Sequence, residues 1–241
     1  MAELNASPRV DLIVALDRPT LGDALALVDA LGSTCRFYKV GLELFTAAGP
    51  AAVEAVRERG ADVFLDLKLH DIPATVRGAA RRAGALGARL LTVHASGGET
   101  MVRAAVEGAS ESASESGDDC GILAVSVLTS LDGPALAAAW GRDDADVAAE
   151  VARLARVAAA AGAHGVVCSG AEIAAVRRAA PAVVTLVPGL RMAGDAANDQ
   201  ARVVTPAAAA AAGARYLVLG RAVTGAGDPA TAMARVRASL G

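Results

Sequence analysis

The segment DVFLDLKLHDIP, residues 62 to 73, places charged side chains in a run that otherwise has the composition of a buried strand. Asp66 and Lys68 are two residues apart, and Asp71 follows shortly after them. Side chains two apart on a strand share a face, so Asp66 and Lys68 are expected to be neighbours. An ammonium group held between carboxylates keeps its charge, and it can then donate a proton or stabilise developing negative charge. The segment therefore predicts a cluster of opposite charges, which is either a set of salt bridges or part of a catalytic site.

A second group of candidate residues lies in the last quarter of the chain. The motifs VPGLR (187 to 191) and LGRAVTGAGDP (219 to 229) place Arg191, Gly220 and Arg221 directly after two apolar runs. Backbone N–H groups beside Gly220, together with two guanidinium groups, are suited to bind a phosphate. Two surface arginines beside turn glycines are the alternative.

The segment between these motifs, residues 192 to 206, is rich in glycine and alanine and has no periodic apolar face. A loop of that length in a compact domain is usually functional, so we expect a lid over the site.

Short apolar runs and alanine-rich stretches alternate along the whole chain. The alanine-rich stretch 144 to 162 is predicted to be a helix, because Val147, Val151 and Leu154 recur at helical spacing. A further helix is expected in 206 to 215, ended by Gly213. Strands are predicted at residues 10–17, 36–41, 62–68, 89–94, 121–128, 165–169, 183–189 and 216–220.

Eight strands that each precede a helix predict an α/β fold, a (β/α)8 TIM barrel that forms a single domain over residues 1 to 241. A doubly wound open sheet is the alternative, but no G-x-G-x-x-G motif follows the first strand. In a barrel, the strands' carboxyl ends meet at one face, where Asp17, Lys39, Asp66 and Lys68 would converge. A cluster of salt bridges that only plugs the barrel mouth is the structural alternative.

Composition limits the classes of partner. The net charge of −3 and pI near 5.6 argue against a nucleic acid held by a broad basic surface, although they permit a local cationic pocket. No apolar run approaches the roughly 20 residues of a membrane span. The N-terminal segment does not resemble a signal peptide, so we expect a cytoplasmic protein with no membrane partner.

The cysteines and histidines give no pattern typical of a metal or redox site. Cys35, Cys120 and Cys168 are far apart, which favours buried thiols over a disulfide framework or a zinc site. The three histidines, His70, His94 and His164, lack paired spacing and are expected to be core or loop residues. We therefore expect no cofactor and no metal.

Seven motifs, in order, resemble those of the bacterial type of orotidine 5'-phosphate decarboxylase. They span residues 10 to 230 and comprise VALD with YKVG, LDLKLHDIP, TVHASGG (92 to 98), VLTS (127 to 130), PGLR, NDQARVVTP (198 to 206) and LGRAVTGAGDP. The chain departs from the usual pattern at Ala74, Asn198 and Ala222, and none of these positions is one to which we assign chemistry.

The resemblance implies cofactor-free decarboxylation of orotidine 5'-phosphate to UMP in de novo pyrimidine biosynthesis. Loss of CO₂ leaves an electron pair in the plane of the pyrimidine ring, where the ring's π system cannot delocalise it, so the protein must supply electrostatic stabilisation. Lys68 would deliver the proton that replaces CO₂, with Asp66 close to the departing carboxylate and Asp71 as the second flanking carboxylate.

The resemblance also implies roles in substrate binding. Asp17 and Lys39 would contact the ribose hydroxyls, Thr129 would lie near the pyrimidine, and the phosphate would be held by Arg191, Gln200, Gly220 and Arg221. The family is dimeric with the site at the interface, so this chain is expected to form a homodimer. Asp71 and Thr75 would then face the substrate of the neighbouring subunit.

Two other functions remain open on the sequence. One is a metal-dependent decarboxylase or aldolase that acts on a sugar phosphate in the same barrel superfamily, and activity that survives chelation would exclude it. The other is a non-catalytic barrel that binds a phosphate ligand, which a turnover assay would exclude.

Overall fold

The structure, a computed structural model that describes residues 10–116, 119–191 and 204–240, is a closed barrel of eight parallel strands. Each strand pairs with the next along the chain, and the last pairs with the first. The strands are β1 Asp11–Ala15, β2 Phe37–Gly41, β3 Asp62–Leu69, β4 Ala88–His94, β5 Gly121–Val125, β6 Gly165–Val167, β7 Val184–Val187 and β8 Tyr216–Leu219. The predicted (β/α)8 barrel is thus confirmed, and the open sheet is excluded.

Helices connect the strands around the outside of the barrel. They are α1 Leu21–Leu31, α2 Leu42–Ala48, α3 Pro50–Arg57, α4 Pro73–Ala85, α5 Gly98–Ser116, α6 Gly133–Ala139, α7 Val147–Ala160, α8 Ile173–Ala179, α9 Pro206–Ala211, α10 Arg221–Thr224 and α11 Pro229–Ala238. Short 3-10 turns lie at Gly32–Thr34, Ala95–Gly97 and Gly170–Glu172. Within the described parts of the chain, no helix is both long and apolar enough to cross a membrane.

The helix predicted in residues 144 to 162 forms as α7, because the Asp146 side chain accepts hydrogen bonds from the N–H groups of Ala148 and Ala149. The boundaries of two other predictions shift. Strand β5 ends at Val125, three residues earlier than predicted, and the N–H and hydroxyl of the next residue, Ser126, both donate to the Val167 carbonyl of β6. The segment predicted as a lid, 192 to 206, overlaps α9 at its end, because Thr205 caps that helix.

The strands bury two different faces. Their inward side chains form a cluster inside the barrel, made of Ile13, Ala15, Phe37, Phe64, Leu90, Leu123, Leu186, Tyr216 and Val218. Their outward side chains join the helices in a second, larger cluster, which includes Leu65 of β3 and Val76 of α4. Side chains alternate along a strand, so Asp17, Lys39 and Asp66 continue the inward faces that carry Ala15, Phe37 and Phe64.

A polar cluster closes the opposite end of the barrel. The Tyr216 hydroxyl lies 3.0 Å from Nε2 of His164, and the guanidinium of Arg215 lies 5.0 Å from the centre of the Tyr216 ring. Burial lowers the pKa of His164, and the positive charges of Arg215 and Arg89 lower it further.

Candidate active site

Four charged side chains from three neighbouring strands form an array at the carboxyl end of the barrel. The Lys39 ammonium lies 2.7 Å from Oδ1 of Asp17 and 3.7 Å from Oδ2 of Asp66. The Lys68 ammonium lies 2.8 Å from the same Oδ2 of Asp66. The charges therefore alternate from Asp17 through Lys39 and Asp66 to Lys68, and the structure brings together four residues that the sequence placed at the ends of three strands.

Exposure differs along this array. Lys39 and Asp66 in the middle are buried, whereas 30% of the Lys68 side chain and 56% of the Asp17 side chain are accessible. Each buried charge has opposite charges on both sides, which offsets the cost of removing it from water. The two ends of the array are its more accessible groups, although all four side chains line the same cavity.

The backbone at Lys68 has an unusual conformation. Its φ is +50°, and it is the only residue other than glycine with a positive φ among those that the structure describes. The pairing of β3 with β4 shifts register at this point, between Leu65 and Leu69. A long side chain in the left-handed region is strained, and such strain is concentrated at functional sites.

Sequence reasoning did not single out Thr92, which joins two members of the array. Its hydroxyl accepts a hydrogen bond from the Lys68 N–H (2.9 Å) and donates one to Oδ1 of Asp66 (2.8 Å). Thr92 is completely buried, on the same inward face of β4 as Leu90. Strand alternation could have identified it, because Thr92 is a polar residue two positions after Leu90 and therefore shares its inward face.

The array lines one side of a cavity of about 550 Å³. Thr129 contributes to its wall, and so do Arg191, Gly220 and Arg221 from the ends of β7 and β8. Strands β3 and β7 lie on opposite sides of an eight-stranded barrel, so Lys68 and Arg191 face the cavity from opposite directions. Both predicted groups of site residues therefore meet in one cavity.

An additional arginine, Arg18, also lines this cavity. Its guanidinium donates a hydrogen bond to the Thr224 carbonyl (2.7 Å), which ties the end of β1 to α10. The buried Arg191 donates to the carbonyl of Leu190 (3.0 Å). Three guanidinium groups thus concentrate positive charge at this end of the cavity, which suits an anionic group of a ligand.

Two of the predicted residues do not line this cavity. Asp71 and Thr75 are exposed, and the Asp71 carboxylate accepts a hydrogen bond from the N–H of Ile72 (2.6 Å). The sequence placed Lys68 between two carboxylates, but among the described residues its ion pair is with Asp66. The reason is that β3 ends at Leu69 and the chain turns outward into α4. The predicted phosphate ligand Gln200, with Asn198 and most of the predicted lid, lies outside the described residues.

Two histidines that are distant in sequence meet beside the array. The rings of His70 and His94 are 5.4 Å apart between centroids, because β3 and β4 are neighbours. Burial lowers the pKa of His94, and the charges of His70 and Lys68 lower it further. In the ranges 10–116, 119–191 and 204–240, no group of three or more His, Cys, Asp or Glu residues is arranged to hold a metal ion.

Comparison with known proteins gives a consistent result. Residues 11–236 match the model of the orotidine 5'-phosphate decarboxylase / HUMPS family. The chain is 52% identical to the orotidine 5'-phosphate decarboxylase of Anaeromyxobacter sp. (strain K), over 97% of this chain and 99% of the relative. It is 48% identical to that of Moorella thermoacetica, over 100% and 95% of the two chains.

A solved structure, that of orotidine 5'-phosphate decarboxylase from Lactobacillus acidophilus, superimposes with a TM-score of 0.85 at 32% identity. The superposition covers 96% of this chain and 99% of that one. The family model and these relatives show that the chain belongs to the orotidine 5'-phosphate decarboxylase / HUMPS family.

Proposed function

We propose that this protein decarboxylates orotidine 5'-phosphate to UMP without a cofactor, as a cytoplasmic enzyme of pyrimidine biosynthesis. The bond between C6 and the carboxylate breaks, CO₂ leaves, and the electron pair remains on C6. The Lys68 ammonium stabilises this pair and then transfers a proton to C6. The names of the relatives support the substrate, and the cavity supports the chemistry.

The position of the two lysines is the strongest support for this proposal. The whole chain contains only two lysines, Lys39 and Lys68, among 23 basic residues, and both belong to the charged array. Arginine can provide a positive charge, but it does not release its proton at physiological pH. Outside the array, every basic residue counted here is an arginine. The presence of a lysine at position 68 is therefore consistent with a proton donor there.

The cavity also offers a place for each part of the substrate. Lys39 and the accessible Asp17 would bind the ribose hydroxyls, and Thr129 would lie beside the pyrimidine. Arg191, Gly220 and Arg221 would bind the phosphate, with Gln200 as a further ligand. The phosphate is remote from C6, so its binding energy can be used to orient the reacting carbon against Lys68 and Asp66.

We also propose a homodimer in which Asp71 and Thr75 complete the partner's site. Both residues are exposed, and neither lines the cavity of its own chain. Large exposed apolar side chains occur at Leu42, Ile72 and Leu128, each shortly after the end of a strand on this same face of the barrel. Exposed apolar side chains of this kind, one of them directly after the exposed Asp71, are suited to an interface between two copies.

The test is the loss of orotidine 5'-phosphate absorbance on addition of purified protein, compared among wild type, Lys68→Ala and Lys68→Arg. General acid catalysis alone is worth about 10² to 10⁴ in rate, so Lys68→Ala should lose at least that factor. Lys68→Arg keeps the positive charge and removes the transferable proton, and it should also be inactive. Near-normal turnover by either folded variant would overturn the assignment of Lys68.

The same assay separates the other two functions. Activity that persists after exhaustive chelation excludes a metal-dependent sugar-phosphate enzyme. Binding of UMP without any turnover of orotidine 5'-phosphate would instead indicate a non-catalytic barrel that binds a phosphate ligand.

A further inference from the structure

We propose that Thr92 is a positioning residue for the proposed decarboxylation, which it serves by fixing Lys68 and Asp66 relative to each other. The inference rests on the proposed function of Lys68. Thr92 does not line the cavity, so it acts through its two partners and not through contact with the substrate.

The hydrogen bonds around Thr92 form a closed ring. The hydroxyl donates its single hydrogen to Oδ1 of Asp66 and accepts from the N–H of Lys68. The other carboxylate oxygen, Oδ2, accepts from the Lys68 ammonium at 2.8 Å. Both ends of the lysine, its backbone and its ammonium, are thus connected to one carboxylate, and Thr92 supplies the connection at the backbone end.

The backbone explains why a side chain is needed at this position. Leu65 pairs with Leu91, and Leu69 pairs with Val93. Between these two pairs lie three residues of β3 but only one residue of β4, Thr92. The Lys68 N–H is directed to the Thr92 hydroxyl at this irregularity, and Lys68 has a φ of +50°. A backbone N–H that is partly removed from water is costly without an acceptor, so the hydroxyl stabilises a strained conformation that places the ammonium next to Asp66.

Loss of the hydroxyl should therefore change the rate and leave substrate binding largely intact. A displacement of about 1 Å at a catalytic group can cost about 10²-fold in rate. We expect Thr92→Val, which keeps the shape of the side chain, to lower kcat by about 10- to 100-fold. KM should change by less than about threefold, because the arginines that would bind the phosphate do not contact Thr92.

Two other variants complete the comparison. Thr92→Ser restores a hydroxyl and should recover kcat to within about threefold of wild type. Thr185→Val is the matched control, because Thr185 is also a buried strand threonine, 1% exposed. Its hydroxyl has no hydrogen-bond partner among the described residues, and it lies on the outward face of β7. Thr185→Val should keep full activity.

The two lysines of the chain allow a direct readout that does not depend on turnover. Protein labelled with ¹⁵N only at lysine gives two backbone amide signals, one from Lys39 and one from Lys68. A Lys39→Arg variant assigns them. In Thr92→Val, the Lys68 amide should shift upfield and exchange faster with solvent, while Lys39 is little changed. Thr92→Ser and Thr185→Val should leave both signals close to their wild-type positions.

The outcomes distinguish this inference from the proposed function. Wild-type protein that does not turn over orotidine 5'-phosphate would refute the proposed function, whatever the amide signals show. With an active wild type, the positioning role is refuted if folded Thr92→Val keeps kcat within twofold. It is also refuted if Thr92→Ser fails to recover the rate, or if Thr185→Val loses as much activity as Thr92→Val.

Discussion

Among single residues, Gly41 is one on which the charged array depends, because a side chain at this position would meet two members of the array. Gly41 ends β2, and a Cβ atom placed on it would lie 2.8 Å from the Lys39 ammonium and 2.9 Å from Oδ1 of Asp17. Its φ is −94°, so any residue could adopt this backbone. Glycine is required at this position because the Gly41 backbone lies close to the ion pair between Lys39 and Asp17.

Gly41→Ala should therefore push Lys39 and Asp17 apart and lower kcat/KM by about tenfold or more, since small displacements of site groups are costly. The measurement is steady-state turnover of orotidine 5'-phosphate. Gly22→Ala is the control, because its added Cβ would make only an ordinary contact of 3.8 Å with Thr20. Equal activity of the two variants would contradict the role given to Gly41.

The array also shows how far a sequence can predict a site. Strand alternation and the ends of apolar runs were sufficient to place Asp17, Lys39, Asp66 and Lys68 together. The role of Thr92 could not be predicted, because it depends on a register shift between β3 and β4 that no pattern in the sequence reports. The contact between His70 and His94 was missed although the predicted barrel makes β3 and β4 neighbours, because the histidines were judged only by their spacing along the chain.

At the scale of elements, α4 and α5 approach each other more closely than ordinary side chains allow. A Cβ on Gly108 of α5 would lie 2.2 Å from the carbonyl oxygen of Arg77 in α4, and one on Gly84 would lie 2.5 Å from the Ser112 hydroxyl. Glycines at both contacts allow the helix backbones to approach. This packing supports the helix that follows β3, the strand that carries Asp66 and Lys68.

Gly108→Ala should lower the free energy of unfolding, because the added methyl group meets a backbone atom that cannot rotate away. Overpacking of this kind typically costs about 1 to 3 kcal/mol. Gly78→Ala makes the same change in the middle of α4 with no atom within 4 Å, and it should be neutral or stabilising by up to about 1 kcal/mol. Urea unfolding of both variants checks the difference, and equal stabilities would refute the close packing.

The elements themselves were predictable because local patterns specify them. The eight strands were expected near their observed positions, and β5 and β7 are shorter than expected because their apolar runs continue into the loops that line the cavity. Hydrophobic periodicity reports burial, and residues such as Val127 are buried in the loop after β5 without being in a strand.

At the scale of the whole molecule, the two ends of the barrel respond to pH through different histidines. His94 lies beside the charged array, and His164 lies at the opposite end, against Tyr216. The pKa of each is lowered in the folded state, in both cases chiefly by burial. The unfolded chain therefore binds protons at a higher pH than the folded protein does.

Stability should accordingly decrease as the pH falls from about 7.5 through the ordinary histidine pKa near 6.5. The carboxylates with lowered pKa, such as Glu150 and Asp228, titrate below this window and do not contribute to it. The measurement is the free energy of unfolding in urea between pH 8 and 5.5. A His94→Asn, His164→Gln double variant should show a smaller slope, and an unchanged slope would contradict this account.

In the proposed homodimer, the active site is expected to be shared between the two chains. Lys68 faces the cavity of its own barrel, whereas Asp71 is exposed beyond the end of β3. In a two-fold dimer, a Lys68→Ala chain paired with an Asp71→Ala chain creates one site with both substitutions and one site with neither. Two inactive variants should then restore activity when their subunits exchange.

Random pairing of equal amounts makes about half of the dimers mixed, so roughly a quarter of all sites should regain wild-type composition. The measurement is turnover of orotidine 5'-phosphate after mixing, with subunit exchange verified by mass spectrometry of intact dimers. Lys68→Ala mixed with Lys68→Arg is the control, because no pairing of these chains restores Lys68. Confirmed exchange without recovery of activity would show that Asp71 acts within its own chain, and the exposed carboxylate would then have no role in a partner's site.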